Sequence, residues 1–222
     1  ESGWSTIKLY FILGLPYETT EDAAGIGELA EKMADVYFGI PKDVRNKGLK
    51  ITVSTSILVP KPFTPFQWAP MARPEIVDER IKAVRGAIKS RSIVYNYHEQ
   101  ETSFMEAVFA RGDRRTCDVL IKAFEKGAKF DGWSEYFNME IWNEAMEECN
   151  LDSEFYVYRE REYDEILPWD FIDIGVNRKY MERENEKAKK AELTKNCLEG
   201  CTGCGINVNF KEGKCFEGAI RN

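Results

Sequence analysis

Residues 6–14 read T-I-K-L-Y-F-I-L-G and are followed by Leu15-Pro16-Tyr17-Glu18. The run is nearly all apolar or β-prone, and a glycine and a proline end it. Such a run reads as a strand covered on both faces, as in a parallel sheet. Thr19 or Thr20 then offers a helix cap, with Glu21 and Asp22 in the first turn, where the helix dipole favours acids. Ala23, Ile26, Ala30, Met33 and Tyr37 recur at helical spacing, and Gly39-Ile40-Pro41 ends the helix.

The same alternation continues outward. Residues 49–59 form a second strand with an alternating K-I-T-V-S segment. Prolines 60, 62, 65, 70 and 74 exclude helix and central strand between them, leaving a stiff loop that carries Phe63, Phe66 and Trp68. Pro74 suits a first helical position, and Val77, Ile81, Val84 and Ile88 share one helical face. Residues 92–97 form a third strand. The order β-α-β-loop-α-β argues an α/β class with parallel strands. Beyond His98, helices are expected at 103–110, 114–126 and 138–149, an irregular stretch at 160–175, and a polar helix at 177–195. Three segments result: an α/β part over 1–100, a helical extension over 101–176, and a helix with a cysteine-rich tail over 177–222.

Composition bounds the rest. With 222 residues, 43% hydrophobic and 31% charged, the chain can bury a proper core and is not a disordered or collagen-like sequence. No apolar run has the length of a membrane span. No basic segment leads an apolar stretch to a cleavage site, so a cytoplasmic location is expected. The net charge of −7 argues against a primary nucleic-acid role. Residues 131–170 hold 13 acids against Arg159 and Arg161, and residues 178–195 hold seven bases against four acids. Two solvated faces, or two mutually attractive ones, would account for this. The start at Glu1 and the immediate strand suggest a piece of a larger protein.

Several constellations could carry chemistry. Glycine at the carboxyl end of a buried strand admits a ligand to the backbone, and in parallel α/β sheets ligands sit at that end. The turn at Gly14 is therefore a candidate site, or simply a tight βα turn. The proline-aromatic loop is either a clamp over the sheet edge or a wall over a pocket. Arg111-Gly-Asp-Arg-Arg115 could hold an anion, or Asp113 could cap a helix and pair with an arginine. His98, the single histidine, is read as structural or solvated. The tail holds Cys197, Cys201, Cys204 and Cys215, an S₄ set suited to Zn²⁺ or an iron–sulfur cluster. In that reading the polar helix delivers Cys197 and Cys201 on adjacent turns, Gly203 and Gly205 turn the chain, and 207–210 is a short strand. Cys117 and Cys149 are expected to be buried and inert.

The phrases I-K-L-Y-F-I-L-G-L-P-Y-E-T-T-E-D (7–22) and V-P-K-P-F-T-P-F-Q-W (59–68) resemble the fifth strand and the sixth-strand exit loop of radical S-adenosylmethionine enzymes. The closest likeness is to those fused to a cobalamin-binding domain. S-F-M-E-A-V-F-A-R-G-D-R-R (103–115), F-D-G-W-S-E (130–135) and L-P-W-D-F-I-D-I-G-V (167–176) resemble the C-terminal half of one branch of them. The resemblance implies the C-terminal half of a partial (β/α)₆ barrel. It also implies cleavage of S-adenosylmethionine by a [4Fe–4S] cluster whose ligands lie upstream, and a cobalamin partner domain. It places Leu13, Gly14, Leu15 and Pro16 beside the adenine, and Ser56 to Pro60 near cofactor or substrate. No acid, base or nucleophile is implied.

The C-x3-C-x2-C spacing at Cys197, Cys201 and Cys204 matches the family's cluster motif, but it follows the strands instead of preceding them. It is therefore read as an auxiliary metal knuckle. The substrate, RNA or protein among the classes considered, is open. A fragment of this kind would be inactive alone and would self-associate through its open sheet edge. The competing reading is a non-catalytic α/β module whose knuckle binds metal and a partner, such as RNA.

Overall fold

The computed structural model describes residues 4–45 and 48–210. β1 (Thr6–Leu13), β2 (Lys50–Ile57) and β3 (Ile93–Tyr97) form one parallel sheet in the order β1-β2-β3. Thr6 pairs with Lys50, Leu13 with Ile57, and Ile51 with Ile93. α1 (Thr20–Phe38) and α2 (Pro74–Ala87) connect the strands and pack against each other. The α/β class and the parallel arrangement are those the sequence pattern predicts.

β1 departs from the expected burial on both faces. Ile7, Leu9, Phe11 and Leu13 turn toward the core, whereas Lys8, Tyr10 and Ile12 are exposed, Tyr10 at 73%. Side chains alternate across a strand, and among the described residues the helices cover one face only. On β2 the covered positions are Ile51, Val53, Thr55 and Ile57. Thr55, the polar member, is satisfied by the Tyr95 hydroxyl at 2.8 Å.

α1 begins with a reciprocal cap. The Asp22 N–H donates to Thr19 Oγ1 at 3.2 Å, and the Thr19 N–H donates to Asp22 Oδ2 at 2.9 Å. Its buried stripe is Ala23, Ile26, Gly27, Ala30 and Ala34. These small residues let α2 approach closely. A Cβ at Gly27 would lie 2.7 Å from both Ala87 Cβ and the Val84 carbonyl oxygen, whereas one at Gly25 would meet nothing within 4 Å. Two substitutions on one helix should therefore differ in sign. Gly27→Ala is expected to lower stability by about 1–2 kcal/mol, overpacking outweighing the helix-propensity gain. Gly25→Ala should raise it by up to about 1 kcal/mol. Urea unfolding of both variants checks this, and equal shifts would contradict the close α1–α2 contact.

The main core crosses residue 100 without a break. Met105, Val108, Val119, Trp142, Met146 and Val157 join the apolar layer formed by Leu13, Val53 and Val84. They come from α3 (Gln100–Arg111), α4 (Thr116–Glu125), α5 (Met139–Glu148) and α6 (Ser153–Val157). A second cluster joins Trp68 to Leu167, Trp169 and Met181, with Phe63 and Tyr163 against it. Met181 lies on α7 (Arg178–Lys189), which stops short of the expected 195. α8 (Ile206–Asn209) is a single turn where a strand was expected, opened by Gly205 at φ +105. No helix among the described residues is long and apolar enough to cross a membrane.

Candidate functional site

The turn after β1 sits at the carboxyl end of the parallel strands. Gly14 has φ +79 and Tyr17 φ +69. The first value suits glycine, and a Cβ on Gly14 would come within 3.0 Å of Ala72 Cβ. The chain closes as the Glu18 N–H donates to the Leu15 carbonyl at 3.1 Å. The Glu18 carboxylate then folds back and accepts from the Gly14 N–H at 2.8 Å.

Arg80 from α2 completes a clasp. Its Nη2 donates to the Glu18 carbonyl at 3.0 Å, and its Nε lies 3.6 Å from Glu18 Oε2. The two side chains are only 12% and 7% exposed. Burial raises the Glu18 pKa above the ordinary carboxylate value, opposed by the Gly14 N–H and by Arg80. Sequence reading missed this clasp, since nothing local links positions 62 residues apart. Beside it runs a groove of about 440 Å³ lined by Leu15, Pro16, Met71, Ala72, Arg73 and Tyr158.

The expected site residues separate. Gly14, Leu15 and Pro16 line this groove. Leu13 is buried in the core, and its carbonyl accepts from the Leu58 N–H at 2.8 Å. Pro60 is wholly buried. Ser56 lies on the open sheet face, in a shallow depression of about 520 Å³ with Tyr10, Ile12, Ser54, Asn96 and His98. The register sets Tyr10, Ser54 and Asn96 in one row across that face. His98 is exposed and fixed to the sheet by its own N–H, which donates to the Thr55 carbonyl at 3.0 Å.

The proline-aromatic loop is held from beneath. Gln67 Oε1 accepts from Trp169 Nε1 at 2.7 Å and from the Phe63 N–H at 3.1 Å. Asn185 Nδ2 donates to the Pro65 carbonyl at 2.6 Å. Both side chains are buried, so the loop is a fixed wall. Arg178 makes an ion pair between the acidic stretch and the basic helix, meeting Asp170 at 2.7 Å.

The arginine-rich turn does not present a guanidinium cluster. Arg111 is fully buried, donating to the carbonyls of Tyr156 at 2.8 Å, Arg159 at 3.3 Å and Gln67 at 3.4 Å. Asp113 pairs with Arg115 at 2.6 Å and accepts from the Tyr156 hydroxyl at 3.0 Å. The Arg115 hydrogen bonds hold the Asp113 pKa down to about 2. A depressed carboxylate pKa adds stability above its unfolded value and loses it as the pH falls through the folded one. Asp113→Asn should therefore cost about 1 kcal/mol at pH 7, kept small by solvent screening, and only a small part of that at pH 2, where the folded carboxylate is half protonated. Urea unfolding at the two pH values tests it, and a pH-independent difference would contradict the pairing.

In the tail, Cys197 and Cys201 are exposed and not helical, so they are not delivered on adjacent helical turns. Gly203 and Gly205 take positive φ, as the expected sharp turn requires. Main-chain bonds anchor the segment: Asn177 N–H to the Cys204 carbonyl at 2.8 Å and Arg183 Nη2 to the Thr202 carbonyl at 2.6 Å. Cys215 lies outside the described residues. Among the described residues no three Cys, His, Asp or Glu side chains gather as a metal site. Cys117 is exposed, against expectation, and Cys149 is half-buried against the core.

No family model and no solved structure matches the chain significantly. Over 118 residues it is 29% identical to an uncharacterized protein of Methanocaldococcus jannaschii, a match covering 53% of this chain. The match spans 24% of that relative's length.

Proposed function

We propose that this chain is the C-terminal part of a radical S-adenosylmethionine protein, and that the groove beside Gly14 takes the adenosyl end of the cofactor. The supporting observation is the Gly14–Glu18 turn at the carboxyl end of parallel strands, lining a cavity of about 440 Å³. That volume falls within the roughly 300–1,000 Å³ of small-molecule sites. Leu15, Pro16, Met71 and Ala72 supply apolar surface for a flat ring, and Glu18, Arg73, Arg80, Tyr158 and Glu160 supply polar edges. S-adenosylmethionine cleaved by a reduced [4Fe–4S] cluster supplies the radical chemistry, with the cluster's ligands assigned upstream by the resemblance. This chain's residues bind and orient. The Glu18–Arg80 clasp fixes the turn, and the proline-aromatic loop keeps its wall rigid.

The same proposal gives the tail a structural metal held by Cys197, Cys201, Cys204 and Cys215. The three described thiols do not gather, so binding would require them to move together.

Calorimetric titration of this chain with S-adenosylmethionine tests the groove. Saturable binding is expected, weakened at least about tenfold by Gly14→Val, whose side chain would collide with Ala72. No 5′-deoxyadenosine should form under reduction by this chain alone. Absence of saturable binding, or binding indifferent to Gly14→Val, would retire the reading. Metal analysis of anaerobically purified protein with and without Cys204→Ala tests the tail separately.

A further inference from the structure

α4 carries apolar residues on two sides. Val119 and Ala123 are buried in the main core. Cys117, Leu120, Ile121 and Phe124 recur at i, i+3, i+4 and i+7, which sets them within an arc of about 100° on another side. All four are exposed. A helix ordinarily faces its core with a stripe of that width, so α4 has a second such face, and nothing covers it among the described residues. No charge interrupts the stripe. Lys122 turns to α5, where it meets Glu148 at 3.7 Å, and it also neutralises Glu125 at 3.2 Å. Asp118 is the one charge of α4 without an ion pair among the described residues.

The loop after α4 adds to this surface. The Lys129 ammonium lies 5.5 Å from the centre of the Phe124 ring, and Phe130 follows it in the chain. Phe130 in turn stands against Trp133 and Tyr136, with ring centroids 6.2 and 5.9 Å apart. Its φ is +60, a conformation that a bulky residue adopts only at a cost. Leu120, Ile121, Phe124, Phe130, Trp133 and Tyr136 are each 50–67% exposed. An aromatic side chain has about 150–250 Å² to bury, so these four rings leave roughly 400–600 Å² in water. With Leu120 and Ile121 added, the patch reaches or exceeds the largest found on an ordinary monomer, about 300–600 Å².

We propose that two copies of this chain pair through the exposed stripe of α4 and the aromatic loop that follows it. Covering the patch on both copies would bury roughly 1,200–1,500 Å², at the lower end of specific, stable interfaces. The order of the stripe argues for a second copy as the occupant. In an antiparallel pair with a two-fold axis between Leu120 and Ile121, Leu120 of one copy meets Ile121 of the other, and the small Cys117 meets the large Phe124. Side-chain sizes then complement at each level, as a self-complementary surface requires. Tryptophan and tyrosine are also the residues that most often carry binding energy at interfaces. The pairing depends on neither the Gly14 groove nor the cysteine tail.

Sedimentation equilibrium of the reduced chain tests the pairing. A dimer with Kd below about 50 μM is expected. Leu120→Asp combined with Phe124→Asp should raise Kd at least about a hundredfold. Both positions are exposed, so the urea midpoint should move no more than surface substitutions ordinarily move it. Tyr10→Asp, on the unpaired edge strand, should change Kd less than about twofold. Alkylation followed by peptide mass spectrometry locates the contact. Cys117 should react at least about fivefold more slowly at roughly 500 μM protein than at roughly 1 μM, as a Kd of that order requires, whereas Cys197 and Cys201 should not respond to concentration. A chain that stays monomeric at about 500 μM would overturn the proposal and leave the stripe to a partner of another sequence. So would a dimer that survives the α4 substitutions, or one in which Cys117 keeps its monomer reactivity. Dissociation by Tyr10→Asp alone would place the contact at the sheet edge and overturn it equally.

Discussion

Arg111→Met is expected to lower the unfolding free energy by about 3 kcal/mol. The side chain is fully buried and donates to three carbonyls contributed by the proline-aromatic loop, α6 and the stretch that follows it. Charged donors to carbonyls contribute about 1.5–3 kcal/mol each, and carbonyls left unpaired in the interior add a penalty. Against this, methionine removes a buried charge and its repulsion from Arg161, both of which pull the Arg111 pKa down. The net is a large loss rather than the sum of three bonds. Arg111→Lys should recover little, because an ammonium cannot serve three separated acceptors in a planar fork. Urea unfolding measures both, and a methionine variant as stable as the parent would show that the carbonyls find other donors.

Trp68→Ala should cost about 3–5 kcal/mol. The ring is 2% exposed and stands edge-on to Tyr163 with centroids 4.9 Å apart. It is the member of the second cluster contributed by the loop after β2; Leu167, Trp169 and Met181 come from later in the chain. Its main-chain carbonyl accepts from the Arg161 N–H at 2.9 Å. The damage should be regional, because the sheet's own core does not include this cluster. Limited proteolysis is expected to cut first within residues 160–176 while the strands stay protected. A loss below about 1 kcal/mol, or cleavage beginning in the sheet, would contradict this division.

The strands and their order were legible because apolar runs alternate with helical stripes and each run ends at turn residues. That periodicity is local. Burial of β1 was not legible in the same way. An apolar strand looks alike whether one face or two are covered, and the covering layer comes from elsewhere in the chain. Exposure of Cys117 was within reach. In α4 the buried residues are Val119 and Ala123, and a position two residues from Val119 lies about 200° around the helix. The structural role of Arg111 was hidden by its type, since arginine is a surface residue unless a fold gathers carbonyls around it. Glu18 and Arg80 meet only because the β1–α1–β2 crossover sets α2 against the turn. Of the expected site, Gly14, Leu15 and Pro16 face one groove because they form a single turn. Ser56 is directed elsewhere by strand alternation.

β1 is paired along one side only among the described residues. The Ser5 and Leu13 carbonyls accept from Lys50 and Leu58, so odd-numbered residues of this strand turn their polar main-chain groups toward β2. Alternation sends the amides of Thr6, Lys8, Tyr10 and Ile12 the other way. In deuterated solvent the strand should therefore exchange in a comb, slow at Ile7, Leu9 and Phe11 and fast at the residues between them. Each fast tooth marks one amide available to a neighbouring strand, and whichever segment pairs there would erase the comb residue by residue.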